Sequence, residues 1–179
     1  MANNENKKRN MTKRLTYTAI LTALYVVLSA LLRIQVIGHI AVDLGYIVLM
    51  VGAVCLGPIP AMMIGALGAG LESMIMAQRG LSIGWVLMNA IIGYICGRIL
   101  SRATNKDQKH FIFLAILVVL GSVLLGITVK TLVDCAIYNL PFIAKIPTSL
   151  TAWLLDSFVM LAIGLPLSLN LKKKFKSIL

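Results

Sequence analysis

Three polar side chains interrupt stretches that otherwise have the composition of membrane-spanning helices. Glu72, Asn89 and Asp156 each lie within about two helical turns of the end of an apolar stretch, at 1.5 Å per residue. An ionisable or amide side chain at that depth is costly, and it indicates a functional site by default. Because no nucleophile with an adjacent base accompanies them, we expect noncovalent binding of a small molecule and not catalysis.

Five more residues are candidates for the same site. Lys130 and Asp134 lie four residues apart at one end of the fifth apolar stretch and can supply charge and hydrogen bonds. The remaining candidates are aromatic residues that can stack on a flat ring or act as a lid, namely Trp85, Tyr138 and Trp153. Each has a plainer explanation, an i,i+4 surface pair for the charged residues and interfacial anchors for the tryptophans.

The depth of these residues predicts that polar side chains are concentrated in one half of the molecule. All eight fall in the outer half of the predicted helices, and the inner half contains neither an acid nor a base between its cytoplasmic flanks. This pattern predicts a polar cavity that opens outward above an apolar floor. His39 and Asp43, in the link between the first two helices, are open cases, and Asp43 alternatively caps the second helix.

Composition indicates which elements position these residues. The chain has 179 residues, of which 59% are hydrophobic, and its mean hydropathy of +0.92 is typical of an integral membrane protein. We predict an all-α membrane protein with six transmembrane helices near residues 15–32, 43–57, 60–77, 82–100, 111–133 and 148–170. Gly57 to Pro60 is expected to form a tight turn, and small residues make the third helix a packing element.

The distribution of basic residues predicts how the chain is oriented across the membrane. Thirteen of them fall on one side, in the first 14 residues, in the loop after the fourth helix and in the last eight residues. Both termini are therefore expected in the cytoplasm. The net charge of +11 is accounted for by orientation, so no nucleic acid partner is predicted. Residues 1–14 are expected to be a disordered basic cytoplasmic tail, 15–171 a single transmembrane domain and 172–179 a second basic tail.

Several chemical signatures are missing from the sequence. It contains no Walker A pattern and no HExxH, and its three cysteines stand apart in apolar runs. The two histidines are predicted on opposite sides of the membrane. We therefore expect no enzyme activity, no cofactor and no resident metal, and any energy for transport must come from a partner.

Three segments together resemble a known family. They are TAILTALYVVLSALL in the first helix, LGYIVLMVGAVCLGPIPAMMIGALGAGLESM in the hairpin and GWVLMNAIIGYICGRI in the fourth helix. With six helices and a basic tail, they resemble the substrate-binding S components of energy-coupling factor (ECF) transporters. The resemblance covers roughly residues 12–171.

The resemblance implies a function and a set of partners. It implies a prokaryotic cytoplasmic membrane subunit that captures a small, ring-containing vitamin or precursor from outside. It also implies a transmembrane T component, two cytoplasmic ATPases and toppling of the S component to release the solute inside. The family's alanine motif, which contacts the T component, corresponds to Ala19 and Ala23. Its pocket lies in the outer half between helices four to six, capped by the outer loops.

The family's metal-binding members use a histidine near the N terminus, which this chain lacks, so a metal substrate is not expected. A different class of protein fits some of the same observations. A membrane scaffold or assembly subunit would need no ligand, and its buried polar residues would contact partner helices. Ligand-dependent stabilisation and co-purification with ATPases distinguish the two classes. The sequence leaves the substrate and its charge open.

Overall fold

The computed structural model describes residues 2–31, 34–37, 40–75, 82–103, 107–139 and 141–175. Within these ranges lie seven α-helices, two strands and one π-helical segment, in the order α1 (Ala2–Leu31), β1 (Ile34–Ile37), β2 (Ile40–Val42), α2 (Gly45–Cys55), α3 (Pro58–Ile75), α4 (Ile83–Ala103), α5 (Gln108–Tyr138), α6 (Phe142–Val159), the π segment (Met160–Gly164) and α7 (Leu165–Phe175). His39, which the sequence analysis assigns to the link between the first two helices, lies outside the described residues.

The predicted all-α membrane bundle is confirmed. Five helical stretches are long and apolar enough to span a membrane, and the last combines α6, the π segment and α7. The exception is α2, whose 11 residues rise about 17 Å and cover roughly half of the hydrocarbon layer. The prediction of a 15-residue second span was therefore too long. Nearly all of its side chains are buried, because α2 packs between α1, α4 and α7.

A short β-hairpin precedes α2, in the link that the sequence analysis places between the first two helices. Strands β1 and β2 pair antiparallel, with Ile34 opposite Val42 and Gln35 opposite Ala41. Strand β2 also contacts α6. Unpaired strand edges are not tolerated against lipid, so contact with α6 gives the hairpin a protein neighbour.

Two predicted irregular segments are helical. Residues 2–14, expected to be disordered, continue α1, so that prediction was wrong for Ala2 onward. The outer link before the sixth span was predicted to extend to Pro147, but α6 begins at Phe142 and contains that proline. The chain turns at Asn139, whose φ of 52° is left-handed, a conformation that asparagine tolerates better than most residues.

The tight turn and the close packing of α3 are confirmed. Gly57 has a φ of 96°, and Pro58 follows as the first residue of α3, where a missing amide hydrogen costs nothing. Helices α3 and α4 approach so closely that a Cβ atom on Gly65 would overlap the backbone of Asn89, and one on Gly93 would overlap the backbone of Ala61. This contact places the polar residues of α3 and α4 next to each other.

Candidate functional site

Polar side chains from four helices and the start of α2 meet near one end of the bundle. We call this set the outer polar cluster; its members are Tyr25, Ser29, Asp43, Tyr46, Glu72, Trp85, Asn89, Asp156 and Ser157. Apart from Trp85, which is half-buried, all of them are buried. Hydrogen bonds and ring contacts connect most of the cluster across helix boundaries.

Asn89 lies at the centre of the cluster. The Tyr25 hydroxyl on α1 donates to Asn89 Oδ1 at 3.1 Å, and Asn89 Nδ2 donates to the Trp85 carbonyl at 3.0 Å. Asn89 is fully buried, and its contact with Gly65 brings α3 against the same turn of α4. The side-chain amide is therefore oriented by hydrogen bonds to Tyr25 of α1 and to the backbone of its own helix.

Asp43 joins α1 to the start of α2. Its Oδ1 accepts the Ser29 hydroxyl at 2.6 Å and the Gly45 backbone N–H at 2.7 Å, and its Oδ2 lies 3.4 Å from the Tyr25 hydroxyl. Leu44 is the N-cap residue of α2, and Asp43, one position earlier, satisfies one of the free amide hydrogens at this helix N-terminus. The Asp43 carboxylate thus binds the N-terminus of α2 and also takes part in the polar cluster.

Glu72 and Trp85 connect α3 to α4. The indole Nε1 of Trp85 donates to Glu72 Oε2 at 2.8 Å, and the Trp85 ring meets the Tyr46 ring edge-on, with centroids 6.3 Å apart. A charge-assisted hydrogen bond inside an apolar bundle is strong because water does not compete for it. Trp85 is therefore held as a wall of the cluster, and a lipid-facing anchor role does not describe it.

Asp156 enters the cluster from α6. It is 3% exposed, and its carboxylate, like those of Asp43 and Glu72, lies within electrostatic reach of the Tyr25 and Tyr46 hydroxyls. The structure therefore brings together the three residues on which the sequence prediction chiefly rests, Glu72, Asn89 and Asp156.

Lys130 and Asp134 belong to a neighbouring ion cluster. Lys130 Nζ lies 2.7 Å from Asp134 Oδ2, and Lys145 Nζ of α6 lies 3.5 Å from the same oxygen. A Cβ on Gly84, one residue before Trp85, would be 2.7 Å from Asp134 Oδ1. The ion cluster therefore adjoins the first turn of α4 and the outer polar cluster, and the sequence did not reveal the contribution of Lys145.

Two predicted aromatic residues lie apart from these groups. The Trp153 indole donates to the Leu120 carbonyl of α5 at 3.0 Å, about 15 Å below Lys130 along that helix. Trp153 thus ties α6 to α5 near mid-depth, away from the position of a lid. Tyr138 is 53% exposed at the outer end of α5. Substrate contact by either residue stays a prediction.

Sequence reasoning missed Tyr25, Ser29 and Ser157. A signal was present in α1, where Thr18, Thr22, Tyr25 and Ser29 follow a helical spacing of four, three and four residues. All four are buried, so this polar stripe faces the bundle. Ala19 and Ala23 lie on the other side of α1 and are exposed, as a contact face for another protein requires.

The described residues include no group of three or more His, Cys, Asp or Glu side chains arranged to hold a metal ion. The site is instead a set of hydrogen-bonding and aromatic groups at one end of an apolar bundle. Such an arrangement places the chain among multi-pass membrane proteins that carry a buried polar cluster inside an apolar helical bundle.

The comparison with known families agrees with this class. The family model described as ECF-type riboflavin transporter, S component matches residues 9–173. The chain belongs to this family.

Membership confirms the resemblance seen in the sequence. S components are the substrate-binding subunits of multi-pass membrane transporters and are not enzymes, and ATP hydrolysis takes place in partner subunits. The family implies a vitamin-like substrate and ECF T and ATPase partners. It therefore favours substrate capture over the alternative of a scaffold without a ligand.

Proposed function

We propose that this protein captures riboflavin, or a closely related flavin, from outside a prokaryotic cytoplasmic membrane and delivers it inward through an ECF complex. The family description supports the choice of a flavin. The observation that carries the proposal is the outer polar cluster, in which Glu72, Asn89 and Asp156 converge from three helices between aromatic walls. We propose that the substrate binds against this cluster.

Aromatic and amide groups suit the flavin ring system. Isoalloxazine is flat, with carbonyl and imide groups along one edge, so it can pack against the indole ring of Trp85. Asn89 keeps one further N–H donor after its bond to the Trp85 carbonyl, since its amide nitrogen carries two hydrogens. A fixed amide discriminates strongly between ligands, because a ligand lacking the matching group leaves a buried polar atom unpaired.

Charge compensation within the protein suits a neutral ligand. Asp134 is paired with two lysines, and Asp43 accepts hydrogen bonds from a hydroxyl and a backbone amide. These carboxylates do not depend on a cationic substrate for their stabilisation. Lys130 and Lys145, each about one third exposed, can in addition donate to flavin carbonyl oxygens near the entrance.

Covering of the substrate and docking of the T component are assigned to the outer hairpin and to the exposed face of α1. The hairpin β1–β2 contacts α6, and we propose that it covers the bound flavin. Ala19 and Ala23 are exposed and small, so a T component can approach the α1 backbone closely there. Among the described residues, the buried charged side chains lie in or beside the outer polar cluster, which reduces the cost of toppling through lipid.

The proposal can be tested by identifying the bound molecule. The full-length protein is purified from cells supplied with riboflavin, denatured, and the released small molecules are identified by mass spectrometry. Riboflavin should be released from wild-type protein and from Ser168→Ala, a buried serine on α7 distant from the cluster. Asn89→Ala and Asp156→Ala should carry much less, because each removes a polar group aimed at the ligand.

The outcomes test the identity of the ligand and the choice of binding residues separately. Release of a different vitamin from wild-type protein would contradict the choice of a flavin. Equal riboflavin content in all four proteins would remove Asn89 and Asp156 from the binding site.

A further inference from the structure

Two buried hydroxyl groups stand out within the outer polar cluster. Tyr46 is 0% exposed and Ser157 is 2% exposed. Among the described residues, neither hydroxyl has a hydrogen-bond partner, although every other buried side-chain oxygen or nitrogen there has one. Buried polar groups without partners are rare, and each calls for an explanation such as an absent ligand or water.

The two hydroxyls lie on elements that face each other. Tyr46 is in the first turn of α2 and Ser157 is in α6, and these helices contact each other. Farther inward, the π segment that follows α6 packs closely on α2, since a Cβ on Gly164 would lie 2.9 Å from Met50 Cβ. Asp156, the residue before Ser157 in α6, is 3% exposed, so this part of α6 also carries a buried carboxylate.

The backbone next to Ser157 is unusual as well. The π segment begins at Met160, whose N–H is shared between the carbonyls of Asp156 and Ser157. Single π-helical turns within α-helices are often found at functional sites. They cost backbone stability, so a turn of this kind beside an unpartnered hydroxyl supports a role in binding.

From these observations we infer that Tyr46 and Ser157, together with Asp156, form a subsite for a hydroxyl-bearing part of the substrate. An alcohol both donates and accepts, as do the phenol and the serine hydroxyl, and the carboxylate accepts a further hydrogen. In riboflavin this part is the ribityl chain. The inference rests on the proposed function and assigns the polyol chain, as distinct from the ring, to the contact between α2 and α6.

The test compares two flavins that share a ring system. Riboflavin carries the ribityl chain, and lumiflavin carries a methyl group in its place. Tyr46→Phe and Ser157→Ala should each weaken riboflavin binding roughly five- to tenfold, the loss of about one hydrogen bond, while lumiflavin affinity changes less than about twofold. Affinities are measured on purified full-length protein by quenching of flavin fluorescence.

Thermal unfolding without ligand provides a second readout. Both substitutions remove a hydroxyl that has no partner, so the ligand-free variants should unfold at the same temperature as wild type or higher. Matched controls are Tyr94→Phe, an exposed tyrosine of α4, and Ser168→Ala, whose hydroxyl donates to the Leu165 carbonyl within α7. Both controls should bind the two flavins as wild type does.

Three outcomes would overturn the inference. Unchanged riboflavin affinity in both variants would indicate that the hydroxyls hold buried water. Equal losses for riboflavin and lumiflavin would place them at the ring or in a structural role. Wild-type protein that binds neither flavin would contradict the proposed function itself, and the subsite with it, so the two failures are distinguishable.

Discussion

Asp134 illustrates how a single side chain can depend on partners from two helices. It is buried at the outer end of α5, pairs with Lys130 one turn earlier and accepts a longer contact from Lys145 of α6. The two lysines are therefore held together by one carboxylate. Removing the acid leaves two like charges as neighbours, whereas removing one lysine leaves an intact pair.

This asymmetry predicts that two substitutions by uncharged residues lower the free energy of unfolding by different amounts. Asp134→Asn should lower the free energy of unfolding by about 1–3 kcal/mol, because it strands two partly buried lysines. Lys145→Gln should cost less than about 1 kcal/mol, since the Lys145 side chain is about one third exposed and the Lys130 contact with Asp134 survives. Thermal unfolding in detergent measures both. A larger loss for Lys145→Gln than for Asp134→Asn would contradict the geometry.

Individual residues could be predicted where depth alone made them unusual. Glu72, Asn89 and Asp156 stood out because no helix end explained them, and the structure places all three in one cluster. Tyr25 was missed because an isolated tyrosine in an apolar helix is common. Its partner Asn89 is 64 positions away. The packing of α1 on α3, and of α3 on α4, brings the two residues together.

At the scale of elements, close packing of α3 and α4 positions the outer polar cluster. Gly93→Ala places a methyl group against the backbone of Ala61 and should lower the free energy of unfolding by about 1–3 kcal/mol. Gly121→Ala on α5 is the matched control, since nothing lies within 4 Å of its would-be Cβ. It should stabilise by about 0.5–1 kcal/mol, because alanine loses less backbone entropy in a helix.

Thermal unfolding of the two glycine variants checks this prediction. A Gly93→Ala protein as stable as Gly121→Ala would show that α3 and α4 are farther apart than the structure places them. The same comparison applies to Gly65, which approaches the backbone of Asn89.

The elements themselves were largely predictable from the sequence. Long apolar stretches and the Gly57 turn fixed most of the spans, because lipid requires each crossing segment to satisfy its own backbone hydrogen bonds. The hairpin before α2 and the shortness of α2 were not predicted. Both depend on contacts with α6 and with the buried core, and composition carries no record of those contacts.

For the molecule as a whole, the polar cluster and the proposed partner face are separate. Ala19→Trp or Ala23→Trp should therefore impair assembly with the T component and flavin uptake, since a bulky side chain blocks close approach of helices. Riboflavin binding by the isolated subunit should be unchanged. Co-purification with the T component and uptake into cells measure the two effects.

Leu117→Trp is the control for added bulk on an exposed helix face. It lies on α5, is 54% exposed, and should leave both assembly and binding as in wild type. Normal assembly of both alanine variants would show that the T component docks elsewhere. Lost riboflavin binding in either variant would indicate damage that reaches the cluster.

The most direct measurement of the central claim is an equilibrium titration of purified wild-type protein with riboflavin, followed by flavin fluorescence. Stacking against Trp85 should quench the flavin in a saturable way with one site per chain, and Asn89→Ala should weaken the binding. Wild-type protein that leaves riboflavin fluorescence unchanged at every concentration would contradict flavin capture by this subunit.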